Sequence, residues 1–140
     1  MTDKTFDFGY GPVPAHRHAN GGGWVADTAT VEPDAWVSGN AWVFGNARVS
    51  GNARVSGDAQ VFGIRHVLMV GPVGTEHQTV TLHRTKGGHN LSVGCWRNHT
   101  IEELAPEVAI RCADRPELIA EYAAIETLLR LRIAEWESSR

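Results

Sequence analysis

Valine recurs at every sixth position along the first half of the chain: Val25, Val31, Val37, Val43, Val49, Val55, Val61, Val67 and Val73. An unbroken six-residue period of this length restricts the chain to a repeat architecture, because each unit is too small to bury a face alone. Two residues before most of these valines stands an alanine (Ala29, Ala35, Ala41, Ala47, Ala53, Ala59). That spacing of two is the signature of a strand with both positions on one side. Gly-Asn or Gly-Asp follows at 39–40, 45–46, 51–52 and 57–58, residue types that tolerate the positive φ of a tight corner. Each hexad therefore reads as a short strand and a turn. A helix is excluded, since a six-residue period drifts around a 3.6-residue helix and each interior glycine costs roughly 1 kcal/mol relative to alanine.

The rest of the composition narrows the class. The chain has 140 residues and a formal net charge of −3, with 13 Lys and Arg against 16 Asp and Glu. That is one domain's worth of sequence, and its charge argues against a protein that tracks nucleic-acid phosphates. Two cysteines in a chain of this size read as reduced thiols. There is no long apolar run, and the opening MTDKTFDFGY is acidic and aromatic, so neither a membrane span nor a signal peptide is expected, and the expected compartment is the cytoplasm.

The hexads GWVADT, ATVEPD, AWVSGN, AWVFGN, ARVSGN, ARVSGD and AQVFGI, continued by RHVLMV and GPVGTE, resemble the hexapeptide-repeat family. That resemblance implies a mainly β fold: a short left-handed parallel β-helix of about three coils over 23–75. It also implies trimers. Three hexads per coil would stack residues 18 apart, giving one outward face with Trp24, Trp42, Phe44 and Phe62 and two others carrying Arg48 with His66, and Trp36 with Arg54. So many aromatics on one small face require a cover. Either the chain's own C-terminal helix or another subunit would supply it, with Leu129 and Trp136 joining the interface. The strings AHRHANGGGWVADTATV and VGCWRNHTIEE further resemble small hexapeptide-repeat proteins of bacteriophages and prophages.

The chain reads as a single domain over 1–140. Phe6, Phe8 and Tyr10 alternate along a strand that opens an N-terminal strand and loop (1–22), with 11–23 as loop. After the repeat, Val80 and Leu82 followed by Leu91, Val93 and Cys95 predict a β-hairpin over 76–96. A two-residue Gly87-Gly88 turn would pair Leu82 with Val93 and Val80 with Cys95. His83 and His89 then project to opposite faces, and the Cys95 thiol joins the core. C-terminal helices are expected over 100–137. Thr100 to Glu103 fits a capping box opening a short helix that Pro106 interrupts, and Asp114 with Pro116 opens a longer one. Its stripe is Leu118, Tyr122, Ile125, Leu129 and Trp136, widened by Ile119 and Ile133. At ~33 Å it would overhang a three-coil stack.

No catalytic set emerges. His16 and His18 share one side of an extended segment without a third ligand, so no metal is expected, and a Cys95–His99 pair has no carboxylate partner. The family's carbonic anhydrases need two histidines five apart, a spacing absent here. Its acyltransferases use a general-base histidine and acyl-CoA, for which His66 would be the base and Arg48 and Arg54 the phosphate contacts. The unbroken hexads and short coil weigh against that activity. The preferred expectation is a non-catalytic oligomeric binding protein without a cofactor. Its candidate ligand residues are Trp36, Arg48, Arg54 and His66, suited to an anionic ring-bearing ligand such as a nucleotide. The phage-like resemblance implies inhibition of bacterial defence, by sequestering a nucleotide signal or by blocking a host defence protein as an anti-CRISPR does. A structural accessory of the virion is the third alternative.

Overall fold

The computed structural model describes residues 4–139. Two short antiparallel strands open the chain, β1 (Thr5–Asp7) and β2 (Pro12–Arg17), so much of the segment expected to be loop is strand. The repeat supplies β3 (Trp24–Ala26), β4 (Thr30–Val31), β5 (Trp36–Val37), β6 (Trp42–Val43), β7 (Arg48–Val49), β8 (Arg54–Val55) and β9 (Gln60–Val61). A 3-10 turn at Ile64–His66 leads to β10 (Val67–Val73), β11 (Gln78–Arg84), β12 (His89–Val93) and β13 (Trp96–His99). The helices α1 (Leu104–Arg111) and α2 (Pro116–Ser138) close the chain.

The fold is mainly β, but the expected left-handed parallel β-helix of about three coils is not what forms. The strands divide into a mixed five-stranded sheet (β1-β2-β3-β6-β9), a four-stranded antiparallel sheet (β10-β11-β12-β13) and two parallel pairs, β4-β7 and β5-β8. The parallel pairs do keep an 18-residue register: Trp24 faces Trp42, which faces Gln60, while Thr30 faces Arg48 and Trp36 faces Arg54. They stop at Val61, however, and antiparallel strands are joined at both ends. The reason lies in the corners. Gly39, Gly45, Gly51 and Gly57 all adopt positive φ, and each is followed by Asn or Asp. The hexads RHVLMV and GPVGTE lack that pair, so Val67 and Val73 enter β10 and run antiparallel to β11.

Three apolar clusters hold these parts. In the first, the alanines and valines of the repeat fill the space between the parallel strands, and Val25, Val37, Val43, Val49, Val55 and Val61 have no exposed surface. The second joins one face of the antiparallel sheet (Val80, Leu82, Leu91, Val93) to the helices through Leu104, Val108, Tyr122, Ile125, Leu129, Ile133 and Trp136. α2 thus covers the antiparallel sheet and not the aromatic face of the repeat. In the third cluster the N-terminal strand does that: Phe6 stacks on Trp24 at 4.7 Å between ring centres, and Phe8 stacks on Phe44 at 4.8 Å.

The hairpin register is displaced from expectation. Val80 faces Val93 and Leu82 faces Leu91 around a four-residue loop, 85–88. The loop closes through the Thr85 amide to the Gly88 carbonyl and is tied to the repeat by the Lys86 amide to the Asp58 carbonyl. The displacement is two residues, so the apolar faces still coincide, but Gly94 and Cys95 become the next turn. Cys95 is therefore exposed and not in the core. The capping box at Thr100 forms, with Glu103 accepting from the Thr100 amide at 2.8 Å. Pro106 sits in the first turn of α1, where its missing N–H has no intrahelical partner to lose, and does not interrupt it.

Both faces of β11 are buried, and the second face finishes the repeat. Thr81 and His83, alternating with Val80 and Leu82, turn toward β8. The Arg54 amide donates to Thr81 Oγ1 at 3.4 Å, and the Ser56 amide donates to His83 Nε2 at 3.3 Å. These side chains satisfy amides of a strand edge that would otherwise be open.

Candidate functional site

The β5-β8 pair presents the most distinctive exposed chemistry. Because Val37 and Val55 point inward, the preceding residues Trp36 and Arg54 point outward and, being in register, lie side by side. The guanidinium carbon of Arg54 is 5.8 Å from the centre of the Trp36 ring, within cation–π range. Trp36 is 40% exposed. Arg54 is half-buried, and its pKa is lowered, first by that burial and then by repulsion from Arg97. Neither arginine forms an ion pair among the described residues.

A polar chain brings Arg97 to this place. Ser56 Oγ donates to Asn98 Oδ1 at 2.9 Å, and Asn90 Nδ2 donates to the same oxygen at 3.1 Å. Asn98 adopts φ +65°, a conformation asparagine tolerates better than most residues. β13 is thereby held against β8, with Arg97 beside Arg54.

The other two ligand candidates do not join this pair. Arg48 is exposed on the neighbouring β4-β7 pair, opposite Thr30. His66 lies in the 3-10 turn, where its Nδ1 accepts the Phe62 amide at 3.1 Å and its ring meets Phe62 edge to face. The residues named for an oligomer interface are largely engaged within the chain. Trp24, Trp42 and Phe44 are half-buried under Phe6 and Phe8, and Phe62 stays 36% exposed. Leu129 and Trp136 are buried, and the Trp136 indole donates to the Arg65 carbonyl at 2.9 Å.

Several other histidines have local partners. His16 Nδ1 lies 2.8 Å from Asp27, and His18, buried, donates from Nε2 to the Ala35 carbonyl at 2.7 Å. His99 stacks flat on Trp96 at 3.8 Å and pairs with Glu103. His83 and His89 do sit on opposite faces of the hairpin, facing Asn90 and Arg84 respectively. Among the described residues no three His, Cys, Asp or Glu side chains group as a metal site, and no helix is long and apolar enough to cross a membrane.

One feature was not legible in the pattern. A cleft of about 240 Å³ opens where the β10-β11 turn, β13 and the two helices meet, lined among others by Trp96, Cys112 and Tyr122. The helical stripe marks Tyr122 as a buried position, but no periodicity tells where its hydroxyl points. No protein family, curated protein or solved structure matches this chain.

Proposed function

We propose that this chain is a non-catalytic binding protein that occludes an acidic surface of a partner protein through Trp36, Arg54 and Arg97. The supporting observation is the in-register pair of exposed Trp36 and half-buried Arg54, with Arg97 beside it and, among the described residues, no carboxylate paired to either arginine. Tryptophan and arginine are the side chains that most often dominate protein interfaces. An unpaired guanidinium held in place by its neighbours binds a carboxylate with little ordering cost. A small nucleotide would need a concave site enclosing most of its surface, and neither Trp36 nor Arg54 lines the clefts near Tyr122 or Tyr10. This geometry favours a protein partner over the nucleotide signal. The resemblance of the sequence to small phage and prophage proteins gives the setting: the partner is a component of bacterial defence, blocked by occupation of its surface.

The test expresses the chain in bacteria carrying individual defence systems and measures phage plaquing. Restored plaquing with at least one system, lost in the double variant Arg54→Glu, Arg97→Glu, supports the reading. A chain that restores plaquing with none, or a double variant as effective as the parent, overturns it. In solution the parent is expected to bind poly-glutamate, more weakly as salt rises, and the variant is not.

A further inference from the structure

We propose that the cleft beside Tyr122 is a binding site for a small neutral molecule of one or two rings carrying a single hydrogen-bonding group. The cleft is lined by none of the three residues of the acidic-surface reading and does not depend on it. Its walls combine Val93, Leu104, Val108 and Leu118 with the ring of Trp96. A volume of about 240 Å³ exceeds the roughly 150 Å³ of an apolar cavity that admits benzene. It suits a bicyclic compound.

The polar character of the ligand follows from Tyr122. This residue is 93% buried, being 7% exposed, and its hydroxyl makes no hydrogen bond among the described residues. The oxygen itself is not buried and opens onto the cleft, where a ligand can take the place of solvent. Here the oxygen lies beside Gly74, another lining residue, where an added Cβ would stand only 3.2 Å away. The absence of a side chain at Gly74 leaves the approach to the hydroxyl open. Since a phenol both donates and accepts, one N–H, O–H or carbonyl on the ligand completes it.

The neutral character follows from the rim. Its arginines are already paired: Arg111 with Glu107, and Arg115 with Glu117 at 3.2 Å. Glu76 accepts from the neutral Gln78 amide Nε2 at 3.3 Å. An anion would have to break one of the ion pairs, and a cation would have to displace the Gln78 amide from Glu76, whereas a neutral ligand leaves these contacts intact.

Indole and indene are the probes, alike in shape but differing in the N–H. Binding is followed by saturation-transfer NMR and calorimetry on the full chain. Indole is expected to bind the parent and to bind more tightly than indene. Tyr122→Phe should weaken indole about five-fold, the worth of one ordinary hydrogen bond. It should leave indene affinity and the thermal midpoint unchanged, because the hydroxyl has no hydrogen-bond partner among the described residues to lose. Val108→Phe, which fills the cleft, should abolish both; if that variant fails to fold, Tyr122→Phe still decides. No indole binding to the parent at low-millimolar concentration, or an indole-to-indene preference unaffected by Tyr122→Phe, overturns the proposal.

Discussion

Acidification should loosen the junction between the antiparallel sheet and the repeat, and His83 sets the size of the effect. Its ring has no exposed surface and is used at both nitrogens: Nε2 accepts the Ser56 amide, and Nδ1 donates to the Arg84 carbonyl at 3.2 Å. Only the neutral ring can do both. Protonation would place a second hydrogen against the Ser56 N–H and a charge in an apolar setting. Burial accordingly pushes the pKa from 6.5 down to about 4, the nearby Arg84 carbonyl and Asp58 opposing and His89 adding to the fall. The sign follows from linkage. Between those two values the unfolded chain binds a proton that the folded chain refuses, so this contribution is fully present above about pH 6.5, declines as pH falls and is gone below about pH 4. At 1.36 kcal/mol per pKa unit the whole effect is about 3 kcal/mol. Urea unfolding of the parent and of His83→Gln, compared between about pH 7 and pH 4.5, isolates it from the other histidines. Glutamine offers a carbonyl to the Ser56 amide but does not titrate there, so the parent should lose its advantage over the variant as pH falls. A difference that stays constant across the range would refute the argument.

Four further outcomes follow from packing and backbone geometry. Leu129→Ala removes a side chain with no exposed surface from beneath the antiparallel sheet and should cost about 3 kcal/mol in urea unfolding. Phe8→Ala should cost about as much and also uncover Phe44, so that self-association rises by size-exclusion chromatography. Trp42→Arg should destabilise the chain itself, since Trp42 meets Phe6 and Phe8 at 5.5 and 5.8 Å; native mass spectrometry with urea unfolding would separate this from a change in subunit number. Gly39→Ala and Gly45→Ala share the penalty of positive φ, about 1 kcal/mol. At Gly45 the new Cβ would also stand 2.6 Å from the Phe62 carbonyl oxygen, whereas at Gly39 the nearest atom is 3.4 Å away, so Gly45→Ala should be clearly the worse in thermal unfolding.

The parts of this fold that show in the sequence are those governed by local periodicity. The two-residue alternation placed the repeat valines inward, and the 18-residue spacing placed Trp36 opposite Arg54. The stripe on α2 likewise named Tyr122, Ile125, Leu129 and Trp136 as its buried side. What periodicity leaves open is anything that preserves a face while changing a partner. A hairpin loop of two or four residues keeps Val80 and Leu82 on the same side, so only tertiary contacts such as Lys86 to Asp58 select the longer loop and move Cys95 to the surface. The aromatic face demanded a cover without saying which, and the chain uses Phe6 and Phe8, two residues on a three-residue strand and just past its end. The end of the parallel pairing was visible only as missing Gly-Asn corners. The cleft at Tyr122 depends on where α1 and α2 meet, which no single segment encodes.

The contact of Thr81 and His83 with β8 amounts to a terminator with an address. Along one edge of β8 the carbonyls of Ala53 and Val55 accept from the amides of Trp36 and Ser38, and along the other the amides of Arg54 and Ser56 are met by side chains in place of another strand. A hexad inserted between β8 and β11 would leave the first edge paired but would have to be looped out to keep the second, and would otherwise part Arg54 from Arg97. The two edges of β8 are thus held by different means, one by backbone and one by residue identity.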